Sequence, residues 1–262
     1  VAVVETSVRR VLVVAGEASG DLHAANLVAA LQRRVGDVEA FGLAGERMRA
    51  VGVEPLARAE ELSVMGLWEV LQELPRLLRL SRRFRRAALG RRPDVAVLVD
   101  SPDFNLPLAR ALRRHGVPVL IYISPQLWAW RAGRVRRIRR DVRKVLAILP
   151  FEVPFYEARG VRAEYVGHPL VDELQPLLLE PPDRETDTLA LLPGSRWHEV
   201  RTLLPPMLEA AEAVRRRRPG LRIRLVAAPG LDREKLRAAV GEGAAHVELV
   251  FDGRHPVLAR SA

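Results

Sequence analysis

Short runs of β-branched and aliphatic residues alternate along this chain with longer stretches whose apolar positions recur at helical spacing. Val11 to Ala15 is a continuous apolar run that ends at Gly16. Asp21 to Arg34 follows, with Leu22, Leu27, Val28 and Leu31 close to one helical face. Ala40 to Ala44, Val95 to Val99, Val117 to Ile123, Val145 to Leu149 and Ala163 to Val166 read as further strands. Strand, helix and strand in alternation predict a parallel sheet with helices on both faces. Between the second and third of these runs, Val64, Leu67, Trp68, Leu71, Leu74, Leu77 and Leu78 repeat at helical spacing over Ser63 to Leu80. Pro75 is expected to kink that helix, because its ring removes a donor and crowds the preceding turn.

The pattern breaks where residues 179–187 turn polar and proline-rich, a linker signal. It then restarts, with Thr188 to Leu192, Leu221 to Ala227 and His246 to Phe251 as strands and Trp197 to Arg218 and Asp232 to Val240 as helices. The expected fold class is α/β: two Rossmann-like, doubly wound domains over 1–178 and 188–262, the second incomplete. The chain starts at Val1 rather than methionine and stops at Ala262 soon after a helix-like start. It therefore reads as a fragment or a shortened protein.

Composition narrows the chemistry. The 262 residues are 48% hydrophobic, enough for a sizeable core. There is no cysteine, which excludes disulfides, thiolate metal sites and a cysteine nucleophile, and a reducing compartment fits. No apolar run reaches the length of a bilayer span, and Val1 to Val8 lacks a signal-peptide core, so a cytoplasmic location is expected. Net charge is +10, and since lysine occurs only at Lys144 and Lys235 the positive charge is nearly all arginine. Nucleic acid, an anionic membrane surface, phosphorylated substrates and an arginine-favouring genome all fit that charge, which does not choose among them.

Ligands of open parallel sheets bind beyond the carboxyl ends of the strands, so the loops there are the places to look. Gly16-Glu-Ala-Ser-Gly-Asp21 brackets a strand-to-helix turn with two glycines. Gly16, Ser19, Gly20 and Asp21 are candidate ligand contacts, a plain helix cap being the alternative. Asp100-Ser-Pro-Asp-Phe-Asn105 places two carboxylates and an amide at a strand exit. One carboxylate, partly desolvated, suits proton removal from an alcohol; the alternative is a turn in which Asp100 caps a helix starting near Asn105. Ser124-Pro-Gln-Leu-Trp-Ala-Trp-Arg131 offers Trp128 and Trp130 as a wall for a sugar or acyl chain, or simply as core. In Leu192-Pro-Gly-Ser-Arg-Trp-His-Glu199 a strand ends, Gly194 turns and a helix begins. Free amides, the helix dipole and the Arg196 fork together suit a diphosphate, with Ser195 as a bare cap the alternative. His168, in Val166-Gly-His-Pro169, has no second histidine at ligand spacing, so no metal site is expected. The helix over Ser63 to Leu80, followed at once by Arg82, Arg83, Arg85 and Arg86, fits shallow insertion into an anionic leaflet or an ordinary core helix with a basic end. The arginine-dense stretch Arg131 to Lys144 fits anionic headgroups, RNA or a solvated helix face.

Taken in order, GEASGDLHAA from Gly16, ELSVMGLWEVL from Glu61, DSPDFN from Asp100, SPQLWAWR from Ser124, LPFE from Leu149, VGHP from Val166 and LPGSR from Leu192 resemble the lipid-A-disaccharide synthases. The resemblance implies an inverting glycosyltransferase of GT-B type, with two Rossmann-like domains and a cleft between them. It implies UDP-2,3-diacylglucosamine as donor and 2,3-diacylglucosamine 1-phosphate as acceptor. The products are then a β-1,6-linked disaccharide 1-phosphate and UDP, with no cofactor and no metal. It makes Asp100 the essential carboxylate and Arg196 the essential arginine near the donor phosphates, with Gly194 and Ser195 beside it. Trp68, Val70, Leu71, Leu74, Leu77 and Leu78 fall on the family's membrane-inserting patch, so peripheral attachment to the anionic inner face of the inner membrane is expected. The family's carboxyl domain continues past Ala262 with parts that hold the donor nucleotide, so this chain alone is expected to be poorly active. Rival readings are another UDP-sugar transferase or epimerase of the same fold, and an arginine-rich nucleic-acid-binding protein, although no recognised RNA-binding motif occurs. An oligomer is compatible with the sequence.

Overall fold

A computed structural model describes residues 9–62, 67–128, 132–228, 230–241 and 246–261; at 18, 62, 67–74, 132 and 254 only the backbone is described. The chain divides into two compact units, 1–169 and 170–262.

The first unit is built on seven strands: β1 (Arg10–Ala15), β2 (Glu39–Ala44), β3 (Glu54–Arg58), β4 (Val95–Val99), β5 (Val119–Tyr122), β6 (Lys144–Ala147) and β7 (Ala163–Tyr165). Helices α1 (Ala18–Val35), α2 (Glu46–Ala50), α3 (Leu67–Gly90), α4 (Pro102–Arg114), α5 (Val135–Asp141) and α6 (Glu152–Glu157) connect them. All neighbours pair in parallel, in the order β3-β2-β1-β4-β5-β6-β7. The chain winds outward from β1 on one side and restarts at β4 on the other. The crevice between β1 and β4 is therefore the topological switch point, where this class of sheet binds ligands.

Both faces of the central strands are buried, which is why they read as unbroken apolar runs. Leu12, Val14, Ala96 and Leu98 face Phe84 and Ala88 of α3 and Leu108, Ala109 and Leu112 of α4. The alternate residues Val11, Val13, Ala15, Val97 and Val99 face Ala24, Ala25 and Val28 of α1 and Met48 of α2. A further cluster joins Ile121 and Val145 to Ile138 of α5 and Tyr156 of α6. Strand β5 is shorter than the apolar run that predicts it. Pro118 has no N–H for the ladder, and Ile123 sits at φ 60°, which ends the extended backbone. Helix α3 continues through Pro75. Beyond that proline it buries Phe84 and exposes Arg82, Arg83, Arg85 and Arg86.

The second unit holds α7 (Leu170–Leu179), β8 (Thr188–Leu191), α8 (Trp197–Arg217), β9 (Arg222–Val226), α9 (Arg233–Val240), β10 (Val247–Val250) and α10 (Arg254–Arg260). Its described strands pair in parallel as β10-β9-β8, over a core of Leu191, Val200, Leu204, Ile223, Leu225 and Leu236. Helix α7 belongs to this unit: Glu173 pairs with His255 of α10 at 3.2 Å. Sequence pattern alone assigns 170–178 to the first domain, because the proline-rich break comes only after α7. No helix among the described residues is long and apolar enough to cross a membrane.

Candidate active site

Two loops flank the switch point. The first, from Gly16 to Asp21, leaves β1. Gly20 is buried against Val99 and Ala15, which lets α1 settle closely on the sheet, while Ser19 is exposed and Gly16 half-buried. Asp21 is 4% exposed, and its carboxylate accepts backbone N–H groups from Gly45 at 2.8 Å, Arg47 at 2.8 Å and Met48 at 3.3 Å. These are amides at the start of α2, so Asp21 caps that helix from a distant position. The expected ligand contact at Asp21 is thus a structural clamp, its oxygens already occupied.

The second loop leaves β4 and carries the strongest chemical signal. Asp100 and Ser101 both adopt left-handed backbone, at φ 47° and 40°. That conformation costs a non-glycine residue about 1–2 kcal/mol. Consecutive strained residues at a strand exit are characteristic of functional turns. Asp100 is half-buried, and desolvation pushes its carboxyl above the ordinary range, opposed by a hydrogen bond from the Ser101 amide. A carboxylate of raised basicity at a strand terminus suits general-base work. Ser101, not Asp100, occupies the cap position of α4, which begins at Pro102 rather than near Asn105. Asn105 is 2% exposed, and its side-chain N–H groups donate to the carbonyls of Val99 at 3.1 Å and Asp100 at 2.6 Å. Burial removes Asn105 from direct contact with a ligand. Asp103 is exposed and pairs with Arg134.

The third loop, after β5, is anchored from below. Ser124 is buried and donates to Glu152 at 2.8 Å. Glu152, 1% exposed, also accepts the amides of Ile148 and Leu149 at 3.2 and 3.1 Å. Burial pushes the nearby Tyr156 hydroxyl up to about 12. Above this buried set, Trp128 packs edge-to-face on Phe151 at 5.1 Å, and both rings remain exposed. Trp128 is therefore a surface aromatic, as an acyl or sugar wall requires, rather than core. Ser124 is a buried anchor rather than a ligand contact. Trp130 and the side chains of Trp68, Val70, Leu71 and Leu74 lie outside the described residues. Leu77 is half-buried and Leu78 is 48% exposed. His168 is half-buried in the stretch that closes the first unit.

In the second unit, Gly194 turns the chain at φ 118° between β8 and α8. A Cβ there would lie 2.6 Å from that of Glu199, so the turn requires glycine. The amides that follow are not free. Glu199 accepts from Ser195 N at 2.8 Å and Arg196 N at 3.0 Å, and its own carboxyl is held below the usual range by those bonds. A carboxylate thus stands where the sequence suggests a phosphate would, the reciprocal half of a capping box. The Arg196 side chain is exposed and touches Glu199 only at 3.4 Å. Among the described residues no three His, Cys, Asp or Glu cluster at metal-binding range.

The family model for lipid-A-disaccharide synthetase matches residues 11–255. This chain belongs to the lipid-A-disaccharide synthase family. The lipid-A-disaccharide synthase of Myxococcus xanthus is 50% identical over 96% of this chain and 67% of its own length. That of Anaeromyxobacter dehalogenans strain 2CP-C is 49% identical over 94% and 66%, and that of Geobacter sulfurreducens 44% over 87% and 61%. The chain spans about two thirds of the length of these relatives. Among solved structures, the Staphylococcus aureus MnaA–UDP complex superposes with TM-score 0.66 over 97% of this chain and 72% of its own, at 12% identity. The calicheamicin glycosyltransferase CalG4 gives 0.57 over 98% and 73%, at 18% identity. At such identities the likeness is one of fold, the GT-B class of paired Rossmann-like units.

Within this synthase family member, Glu152 and Glu199 are the residues that sequence reading passed over. Glu199 carries a usable signal, a glutamate three residues after the helix cap. Glu152 carries none beyond its place in LPFE, since a buried glutamate is rare without partners.

Proposed function

We propose that this chain supplies the acceptor-activating base and part of the donor site of a lipid-A-disaccharide synthase. The observation that carries the reading is Asp100, strained and desolvated at the switch point of a sheet in a chain of this family. In this reading Asp100 removes the proton from the 6-hydroxyl of 2,3-diacylglucosamine 1-phosphate. The freed oxygen attacks the anomeric carbon of UDP-2,3-diacylglucosamine from the face opposite the diphosphate. The bond to UDP breaks with its electron pair, the anomeric configuration inverts, and Asp100 holds the proton. Arg196 neutralises the charge growing on the departing UDP, and Gly194 and Ser195 form the turn that carries it. Because Glu199 bonds the amides of residues 195 and 196, the guanidinium rather than those amides is the first group available to a diphosphate. Trp128 and Phe151 offer a surface for acyl chains. Helix α3, with Leu78 and its arginines exposed, supports docking on the anionic inner face of the inner membrane from the cytoplasmic side.

The test is turnover of the two acylated sugars by this chain and by a version extended to the length of its relatives. Formation of UDP and disaccharide 1-phosphate by the extended protein, lost in Asp100→Asn, supports the reading. Turnover of unacylated UDP-N-acetylglucosamine in place of the acylated donor would replace it with an epimerase-like activity.

A further inference from the structure

The backbone at Asp100 and Ser101 is left-handed twice in succession, and neither residue is glycine. A conformation that L-residues disfavour persists only where the surroundings over-determine it. Here one side chain bridges the turn, beside backbone bonds from Phe104 and Asn105 to Ser101. Asn105 sits in the first turns of α4, 2% exposed. Its amide has two N–H protons and uses both: one reaches the Val99 carbonyl at 3.1 Å, the other the Asp100 carbonyl at 2.6 Å. Those carbonyls belong to the peptide groups immediately before and after the Asp100 Cα. The Asn105 backbone N–H meanwhile donates to Ser101 at 2.9 Å. One residue therefore pins three successive carbonyls of the strained turn.

The other end of the amide is equally informative. Among the described residues, Asn105 Oδ1 is buried with no hydrogen-bond partner. Turning the amide over to satisfy it would set that oxygen against two carbonyl oxygens, so the donor side fixes the orientation. An asparagine whose acceptor goes unmet is retained for what its donors do. Leucine or alanine would pack there without the orphan atom, but would take the side-chain donors away from both carbonyls.

We infer that Asn105 is a positioning residue: by clamping the peptide groups on both sides of Asp100 it fixes the left-handed turn that holds the catalytic carboxylate half-buried at the exit of β4. The inference rests on the reading of Asp100 as the base. It assigns Asn105 no contact with either substrate. Among the described residues, desolvation raises the Asp100 carboxyl and the Ser101 amide lowers it, and both depend on the turn, so loosening the turn changes its basicity.

The experiment compares the wild-type chain with Asn105→Asp, which keeps the shape and loses both donors, and with Asn105→Ala. Asn105→Ala combined with Ser101→Gly relieves the backbone strain and serves if the single variants fold poorly. Aspartate carboxyls are labelled with carbon-13, Asp100 is assigned by its loss in Asp100→Asn, and its titration midpoint is followed by NMR. In folded Asn105→Ala or the double variant the Asp100 midpoint falls toward the ordinary aspartate value. In the extended, active protein the same substitutions lower kcat at least tenfold, leave KM within about twofold, and move the acidic limb of the pH profile with the NMR midpoint. An unmoved Asp100 midpoint in a folded variant overturns the inference, as does kcat unchanged within twofold. Absence of any wild-type turnover of the acylated sugars sinks the proposed function instead, and leaves the NMR comparison to decide the role of Asn105 in the turn.

Discussion

Asp100 joins stability and function at a single residue, and their signs oppose. Burial raises its folded pKa above the unfolded value. Below the unfolded pKa both states are protonated and the group is neutral in effect. As pH rises through the interval between the two values the folded state holds more protons, so stability falls and stays lower above it. Asp100→Asn removes that penalty and places a residue tolerant of left-handed backbone at φ 47°. The variant should melt higher than wild type at pH 7.5, with the difference shrinking toward pH 3. Its turnover in the extended protein should fall about a hundredfold or more. Thermal melts at the two pH values, beside the activity assay, check both halves. Equal melting differences at pH 3 and pH 7.5 would assign the effect to the backbone alone.

At the scale of elements, buried acids act as ties between loops and helices. Glu152 binds the β5 loop to the turn before α6 through one hydroxyl and two amides. Glu152→Ala leaves a buried hydroxyl and two partly buried amides unmatched and should cost about 2–4 kcal/mol of unfolding free energy by denaturant titration. It should also weaken the edge-to-face packing of Trp128 on Phe151, read as a shift in tryptophan emission. Strand β2 has a harder constraint, since a Cβ on Gly42 would lie 1.7 Å from the Val13 carbonyl oxygen across the β1–β2 ladder. Gly42→Ala should therefore lower stability by about 3 kcal/mol or more, or prevent folding, while Gly36→Ala, which meets nothing within 4 Å but sits at φ 84°, should lose less. Midpoints of urea unfolding rank the pair. These ties mark the limit of what the sequence shows. The central strands β1 and β4 are legible because both faces are buried and their residues are almost wholly apolar. Strand β3 is not, since Glu54 and Pro55 break its pattern and its place is set by pairing with β2. The loops that carry chemistry are legible as glycines, carboxylates and tryptophans at strand ends. Which of those groups stay available is not, because Asp21 and Ser124 are occupied by partners 24 to 28 residues away. The left-handed pair at 100–101 is equally invisible, being dictated by Asn105 rather than by a glycine.

For the whole molecule the question is how a chain of net charge +10 would meet the lipid substrates proposed above. Charge and apolar surface make separable contributions to membrane binding. The arginine excess attracts any polyanion over roughly a Debye length, about 10 Å at 0.1 M salt, and fades as salt rises. Insertion of an apolar side chain is not screened. Leu78, 48% exposed beside exposed arginines on α3, is the described residue best placed to insert. Burying its exposed half is worth about 1 kcal/mol, or roughly fivefold in affinity. Leu78→Ser should therefore weaken binding to phosphatidylglycerol vesicles about fivefold at both 0.1 M and 0.5 M NaCl. Arg82→Ala with Arg83→Ala should weaken it strongly at low salt and little at high salt. Single-stranded RNA supplies the contrast, because its capture depends on charge and should be indifferent to Leu78. Co-sedimentation with vesicles and a parallel RNA titration give all four comparisons. If Leu78→Ser left vesicle affinity unchanged at high salt, α3 would be a solvated basic helix and membrane contact would have to come from elsewhere in the chain. A loss confined to vesicles would instead place the acylated substrates and the protein on the same surface, leaving transfer between two lipids as a reaction confined to the plane of the leaflet.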